Sequence, residues 1–540
     1  MKINRRGLYA VILAGAIFLS GCSASDTVQG GDAATNNGVV NGTTGDTTDT
    51  NGEENTIMGY SLSDTEALTE LAKSYKTRGE TNPITTQAYG ADPFVMVYGD
   101  TAYIYMTDDH YEYDAAGNIT ENTYSKINKI HVVSTKDMKN FTDHGCINVA
   151  GEDGIAKWAK NSWAPAAAWK NIDGQDKFFL YFADNGGGIG VIEADTPIGP
   201  FRDPLGHGLI RRDMENCGNV LWLFDPAVFV DDDGTGYIYF GGGVPEGQAA
   251  HPLTGRCAQL GDDMISLATV PVVIDAPYLF EDSGIHKYGD TYYYSYCSNF
   301  SVDAEGTKEY GMVNGQICYM TSKSPLGPFT YQGMILDNPG TLCGLSGNNH
   351  HAMFKFNDQW YIAYHSRLLE KNIGIAHGYR ATHIDKINFT EDGAIVRIVQ
   401  TTSGPDQIGC VDAYAENSAV CVTKMAGTDA VAADEIGYGN MTLGMIDTGD
   451  WTETTGVEFG DKGATTLCIK ANVPAGTVGA VYASLDFINK ENLGTVLLYP
   501  SEENAEGVYK VTLNQTVTGN HYVYFAFSGS GYTVDSWWFE

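Results

Sequence analysis

The sequence predicts an all-β protein, a five-bladed β-propeller followed by a β-sandwich of jelly-roll type. Three observations carry this. First, a turn rich in Gly or Asp leads five times into an aromatic strand, at GDTAYIYMTDD (99–109), GQDKFFLYFADN (174–185), DGTGYIYFGGG (233–243), YGDTYYYSYCSN (288–299) and NDQWYIAYHSR (357–367). Regular multi-strand units of this kind fit propeller blades, whereas a sandwich with coincidental hairpins is the blander alternative. Second, two of the turns that follow are near copies, Thr196-Pro-Ile-Gly-Pro-Phe201 and Ser324-Pro-Leu-Gly-Pro-Phe329. Third, beyond about residue 405 the pattern changes to short alternating strands rich in Gly and Thr, which reads as a separate sandwich.

The elements divide the 540 residues into four parts: 1–22, 23–57, 58–405 and 406–540. Residues 1–22 form an export signal, with Lys2, Arg5 and Arg6 at its start and an apolar run from Leu8 to Leu19. That run is too short for a stable membrane span. It ends in Leu19-Ser20-Gly21-Cys22, small residues before a cysteine, which resembles a bacterial lipobox and makes Cys22 the expected lipidation site. An exported lipoprotein anchored at the membrane or cell surface is therefore expected. Residues 23–57, dominated by Gly, Asn, Thr, Asp and Ser, lack the apolar content to fold and read as a tether. At about 62–76, Leu68, Leu71, Ala72 and Tyr75 have the spacing of one face of a short amphipathic helix.

Composition restricts the partners. Asp and Glu number 67 against 32 Lys and Arg, a formal charge of −35. Such a chain repels phosphate backbones, which argues against nucleic acid, while a neutral polysaccharide meets no such barrier. Nine cysteines remain after Cys22, with no metal-type Cys/His cluster, and Cys297 and Cys318 read as buried thiols in strands.

Candidate chemistry lies in acidic residues just before the aromatic strands, where blades meet a common axis. Asp92 in Tyr89-Gly-Ala-Asp-Pro-Phe94 and Asp225 in Leu223-Phe-Asp-Pro-Ala-Val-Phe229 occupy matching positions. An Asp before Pro is also a common turn pair, so the recurrence is what carries weight. Glu281 precedes the fourth aromatic strand, with Asp275 and Asp282 as rivals on spacing alone. Two carboxyls in different protonation states on opposite sides of a sugar are what inverting glycoside hydrolysis needs, and a third negative charge keeps the acid protonated. Trp163 could wall a sugar or fill a core. Arg367 could bind hydroxyls or serve as a structural ion-pair partner.

The segments ADPFVMVYGDTAYIYMT, KNSWAPAAAWK, FDPAVFVDDDGTGYIYFGG, APYLFEDSGIHKYGDTYYYSY and NNHHAMFKFNDQWYIAYHSR resemble glycoside hydrolase family 43, in its arabinofuranosidase and xylosidase branches. The resemblance runs from about residue 80 to 400. It implies a five-bladed propeller, inversion, and the roles of base, pKa modulator and acid for Asp92, Asp225 and Glu281. It also implies a calcium on the axis held by His350 with waters, where the residues alone leave a hydrogen-bonded axial histidine open. The expected activity is an exo-acting α-L-arabinofuranosidase on plant cell-wall arabinoxylan or xylo-oligosaccharides. A β-D-xylosidase, a non-catalytic carbohydrate-binding lipoprotein and a structural adhesin are the alternatives. The C-terminal part resembles a family 6 carbohydrate-binding module through Thr448-Gly-Asp-Trp-Thr-Glu453, Gly456-Val-Glu-Phe-Gly460, His521-Tyr-Val-Tyr-Phe-Ala-Phe527 and Val534-Asp-Ser-Trp-Trp-Phe539. It departs from that family at Glu506-Gly-Val-Tyr-Lys-Val511, which carries no tryptophan, so the resemblance does not imply sugar binding there.

Overall fold

The computed structural model describes residues 56–57, 60–61, 70–488, 490–500 and 507–540. The predicted signal, Cys22 and nearly all of the predicted tether lie outside these residues. Five antiparallel sheets follow one another along the chain. The first holds Ala91–Tyr98, Thr101–Thr107, Lys129–Thr135 and Phe141–Asn148, and the second Trp163–Ile172, Gln175–Ala183, Gly188–Ala194 and Ile210–Arg211. The third holds Ala227–Val230, Gly236–Phe240, Gly255–Gln259 and Val272–Ile274, and the fourth Leu279–Tyr288, Thr291–Ser298, Ile317–Ser322 and Thr330–Leu336. The fifth has three strands, His351–Phe356, Gln359–Ser366 and Ala381–Ile387.

Local chemistry explains the hairpins. In four sheets the first two strands are joined by two residues, Gly99-Asp100, Asp173-Gly174, Gly289-Asp290 and Asn357-Asp358. Asp173 and Gly174 have φ of 53° and 84°, and Asn357 and Asp358 have 46° and 62°. Two successive left-handed residues match the right-handed twist of the flanking strands, and Asn, Asp and Gly adopt them most readily.

The first strand of each sheet packs against the first strand of the next, and that of the fifth returns to that of the first. Buried aromatic and aliphatic layers fill the gaps between sheets, such as Tyr239, Tyr294 and Tyr296 between the third and fourth. The closure is hydrogen-bonded: Ile84 N donates to Thr382 O (2.9 Å) and Gly90 N to Arg380 O (3.1 Å). The Asn82 amide adds to this by donating to Ile384 O and accepting from Ile384 N, both at 2.9 Å.

Residues from 411 onward form two facing six-stranded sheets, one containing Trp451–Glu458, Gly479–Leu485 and Asn520–Gly529, the other Ala464–Asn472, Val508–Val517 and Thr533–Phe539. Their inner faces bury Leu467, Val481, Phe525, Phe527, Trp537 and Phe539. One strand departs from this layout: Cys421–Val422 pairs with Phe141 and Thr142, becoming a fifth strand of the first sheet. Asn140 bonds the same junction, donating to Thr455 O (2.9 Å) and accepting from Thr455 N (3.0 Å). Beside it lies a buried ion pair, Lys424 Nζ to Glu453 Oε2 at 3.1 Å.

The helix expected at 62–76 is not present over its described part, residues 70–76. These residues run as a strap instead. Leu71 and Ala72 pack on Trp451 and Tyr524 of the sandwich, while Tyr75 packs among Tyr89, Leu369 and Tyr379, in the segments that flank the first and fifth sheets. Ala72 N donates to Gly449 O and Trp451 Nε1 to Ala72 O, both at 2.8 Å. Bonds to a different part of the chain have replaced the helical ones, so the apparent 3.6-residue spacing reflects two separate partners rather than one face. The nine described cysteines are all free, and Cys297 and Cys318 are buried as expected. No helix among the described residues is long and apolar enough to cross a membrane.

Candidate active site

The three predicted carboxylates reach one cavity of about 330 Å³ because the inner strands begin alike. Asp92, Ala164 and Asp225 each precede a proline and have φ of 47°, 41° and 48°, and Asp282 in the fourth sheet has 67°. Strand register slips at these points, between Ala91 and Phe94, Trp163 and Ala166, and Glu281 and Gly284. A bulge of this kind re-aims side chains at a strand end. Left-handed non-glycine residues are strained and persist where their surroundings hold them. Glu281 therefore enters from the residue before the bulge, the position that Trp163 holds in the second sheet.

Asp92 is bound on both oxygens. Arg380 Nη1 donates to Oδ1 (2.7 Å) and Thr107 Oγ1 donates to Oδ2 (2.8 Å). The Ala164 N–H donates to Thr107 Oγ1 (2.8 Å), which leaves that hydroxyl's own proton for Asp92. The Asp92 N–H donates to His365 Nδ1 (3.1 Å), and His365 Nε2 faces Asn348 O (3.1 Å), so the ring's proton sits on Nε2. Burial alone would raise the Asp92 carboxyl, but the groups around it, Arg380 foremost, outweigh burial and hold it well below the usual range. Glu281 is the opposite case. Burial, followed by the charges of Asp225, Asp92 and Asp282, pushes it well above 4.5. Its Oε1 is buried with no hydrogen-bond partner among the described residues. Asp225 accepts the Asp282 N–H at 3.0 Å, a bond that favours its ionised form. Burial and the charge of Asp92 push Asp225 up as well, so the two buried carboxyls hold one proton between them. The N–H of Asp282 on Asp225, against no partner on Glu281 Oε1, favours Glu281 as its holder.

The remaining candidates fall differently. Trp163 lines the cavity, its Nε1 donating to Tyr124 O (3.0 Å). Asp275 is at the surface facing His251 (3.0 Å), and Asp282 is fully buried beneath the cavity against His351 Nδ1 (2.5 Å), so neither rivals Glu281 for access. Arg367 does not line the cavity. Its Nε pairs with the buried Glu370, whose Oε2 accepts the N–H groups of His377, Gly378 and Tyr379 at 2.9–3.1 Å. The cation is consumed in a structural ion pair, the alternative its type allowed. His350 lines the cavity, with Nδ1 3.8 Å from both Asp92 and Asp225 and Nε2 3.2 Å from Asp282. No group of three or more His, Cys, Asp or Glu among the described residues could hold a metal. Calcium takes six to eight oxygens, so an ion beside His350 would draw most of its ligands from water. No step below is routed through a metal.

Sequence reasoning missed Arg380, Tyr124, Asn185, Trp222, Phe224 and Phe280, which complete the cavity wall. Trp222 stands edge-on to Phe224 and Phe280, each 5.3 Å away. Its backbone exchanges two 3.1 Å hydrogen bonds with Gly242. A Cβ at Gly242 would lie 2.4 Å from Phe280 O and 2.7 Å from the Phe224 ring, so this approach requires glycine.

Residues 80–395 match the model of glycosyl hydrolases family 43, and residues 418–540 match that of carbohydrate binding module (family 6). An arabinoxylan arabinofuranohydrolase of Paenibacillus polymyxa is 45% identical over 482 residues, covering 86% of this chain and 75% of that protein. One of Bacillus subtilis (strain 168) is 44% identical over 481 residues, covering 85% and 92%. The crystal structure of a glycoside hydrolase family 43 arabinoxylan arabinofuranohydrolase from Bacillus subtilis with cellotetraose superposes with a TM-score of 0.81 at 41% identity, covering 86% of this chain and 98% of that one. A xylosidase/arabinosidase 43A of Humicola insolens is 33% identical over 359 residues, 58% of this chain and 98% of that protein.

Proposed function

Because the chain belongs to glycosyl hydrolase family 43, we propose that it removes terminal α-L-arabinofuranosyl units from arabinoxylan or its oligosaccharides with inversion. The observation that carries this is the opposite setting of two carboxyls in one cavity, Asp92 held ionised by Arg380 and Thr107 and Glu281 held protonated by burial and Asp225. The five sheets, with their first strands in a ring, support reading them as the blades of a propeller around that cavity.

In this mechanism Asp92 takes a proton from water as the water oxygen bonds to the anomeric carbon. The bond to the leaving oxygen breaks, and its electron pair takes the proton of Glu281. Asp225 remains a negative neighbour that holds Glu281 protonated before the step. The aromatic wall of Trp163, Trp222, Phe224 and Phe280 excludes water and stacks on the sugar's apolar face. The likeness to arabinofuranohydrolases across both domains favours arabinose over xylose, and a complete carboxylate trio weighs against a binding-only protein. The C-terminal module would hold the enzyme near its polysaccharide, and Cys22 would anchor it to the membrane after export.

Proton NMR of the first sugar released from an α-L-arabinofuranoside tests this. β-L-arabinose before mutarotation is expected. The α-anomer, or a glycosyl ester on Asp92, overturns the base assignment, and faster release from β-D-xylosides favours the xylosidase reading.

A further inference from the structure

Asp109 touches neither the cavity nor any atom that could react, yet it is the most heavily used acceptor around the base. It follows the strand Thr101–Thr107 by two residues and is 1% exposed. Its Oδ2 accepts Arg380 Nε at 2.9 Å and the Arg380 N–H at 3.0 Å, and its Oδ1 accepts Arg380 Nη2 at 2.9 Å. Arg380 is thus gripped in fork fashion from behind, with the ring of Tyr124 4.8 Å from its Cζ. Only Nη1 is turned forward, and it meets Asp92 Oδ1 at 2.7 Å. A planar fork fixed on one side is aimed on the other, since guanidinium geometry leaves no torsion between its nitrogens.

We propose that Asp109 is a positioning residue for the general base, acting through Arg380 to hold the Asp92 carboxylate where it meets the attacking water. This rests on the assignment of Asp92 as base. The neighbouring Thr107 hydroxyl fixes the other oxygen, so one strand end sets both Asp92 oxygens.

The test uses the full-length enzyme and aryl α-L-arabinofuranosides with good and poor leaving groups. Asp92→Asn should lose activity equally on both, because water attack is needed whatever leaves. Glu281→Gln should lose it selectively on the poor one. If that contrast is absent, the assignment of base and acid fails, and the role of Asp109 falls with it. With the contrast in place, Asp109→Asn is expected to lower kcat about 10–100-fold, the scale of a misplacement of about 1 Å. The loss should be the same for both leaving groups, with KM within about threefold. It should vanish in the Asp92→Asn background, because two residues acting through one group are not additive. A folded Asp109→Asn enzyme with normal kcat, a loss that depends on the leaving group, or an undiminished loss in the Asp92→Asn background overturns the proposal. If Asp109→Asn does not fold, Asp109→Glu keeps the charge but displaces the fork by a methylene. The same uniform loss is then expected, and normal kcat in that variant is equally fatal.

Discussion

Glu281→Gln separates chemistry from stability in one substitution. Glutamine has the same shape, and the buried Oε1 has no partner to lose, so the fold is expected to stay intact. Turnover on arabinoxylan should fall about 10²–10⁴-fold, the range for losing a general acid. A 4-nitrophenyl arabinofuranoside, whose leaving group needs little protonation, should lose far less. Stability should move the other way. The folded pKa of Glu281 stands well above 4.5, so its contribution is fully present below about pH 4.5 and is lost as pH rises towards the folded pKa. Each unit of that displacement costs about 1.4 kcal/mol at higher pH. Glutamine does not titrate, so the variant should unfold at a higher temperature than the parent at pH 7 and gain less at pH 4. Initial rates on both substrates and calorimetry at the two pH values read this out. Near-normal activity on arabinoxylan, or a stability gain no larger at pH 7 than at pH 4, would refute the reasoning.

Arg367→Ala should cost about 3 kcal/mol, the lower end for breaking a buried ion pair because three N–H groups still bind Glu370, with KM within about threefold. A tenfold rise in KM at normal stability, measured by kinetics and denaturant unfolding, would return Arg367 to the sugar site. Glu453→Gln should destabilise by about 3–5 kcal/mol by stranding Lys424, whereas the double change Lys424→Met with Glu453→Leu should be close to neutral. Single and double variants alike within about 0.5 kcal/mol of the parent would show the pair to be solvated. Cys22→Ala should release soluble or unprocessed protein of unchanged specific activity, and membrane retention of processed Cys22→Ala protein would count against the anchor.

The carboxylate trio was legible because each member stands just before an aromatic strand, and repetition makes such positions converge. The residues that tune the trio were not. Arg380 lies 288 residues from Asp92 and reads as one basic residue in a strand-like run. Thr107 is an ordinary strand threonine until its hydroxyl is seen between Ala164 and Asp92. Of the two readings of Arg367, the ion pair needed a partner that the sequence did not single out, since Glu370 is one turn along a short helix and fully buried. The sandwich showed in its alternating strands. That one of its strands would join the first sheet depends on pairing between residues about 280 apart, for which local pattern gives no signal.

The junction described above also decides how the two halves can cooperate on a polymer. When two binding units are joined by a free linker, its length sets the effective concentration of the second unit once the first is bound. Here Cys421–Val422 is paired into the first sheet, Ile408 N donates to Asp137 O (2.9 Å), and the 70–76 strap contacts both halves. There is no slack chain between them to set such a concentration. Any sugar the module holds is held at a fixed offset from the cavity. Its benefit would be all or nothing, large for chains whose spacing and direction suit that offset and absent for the rest. The module would then act as a ruler for the polysaccharide rather than as a leash.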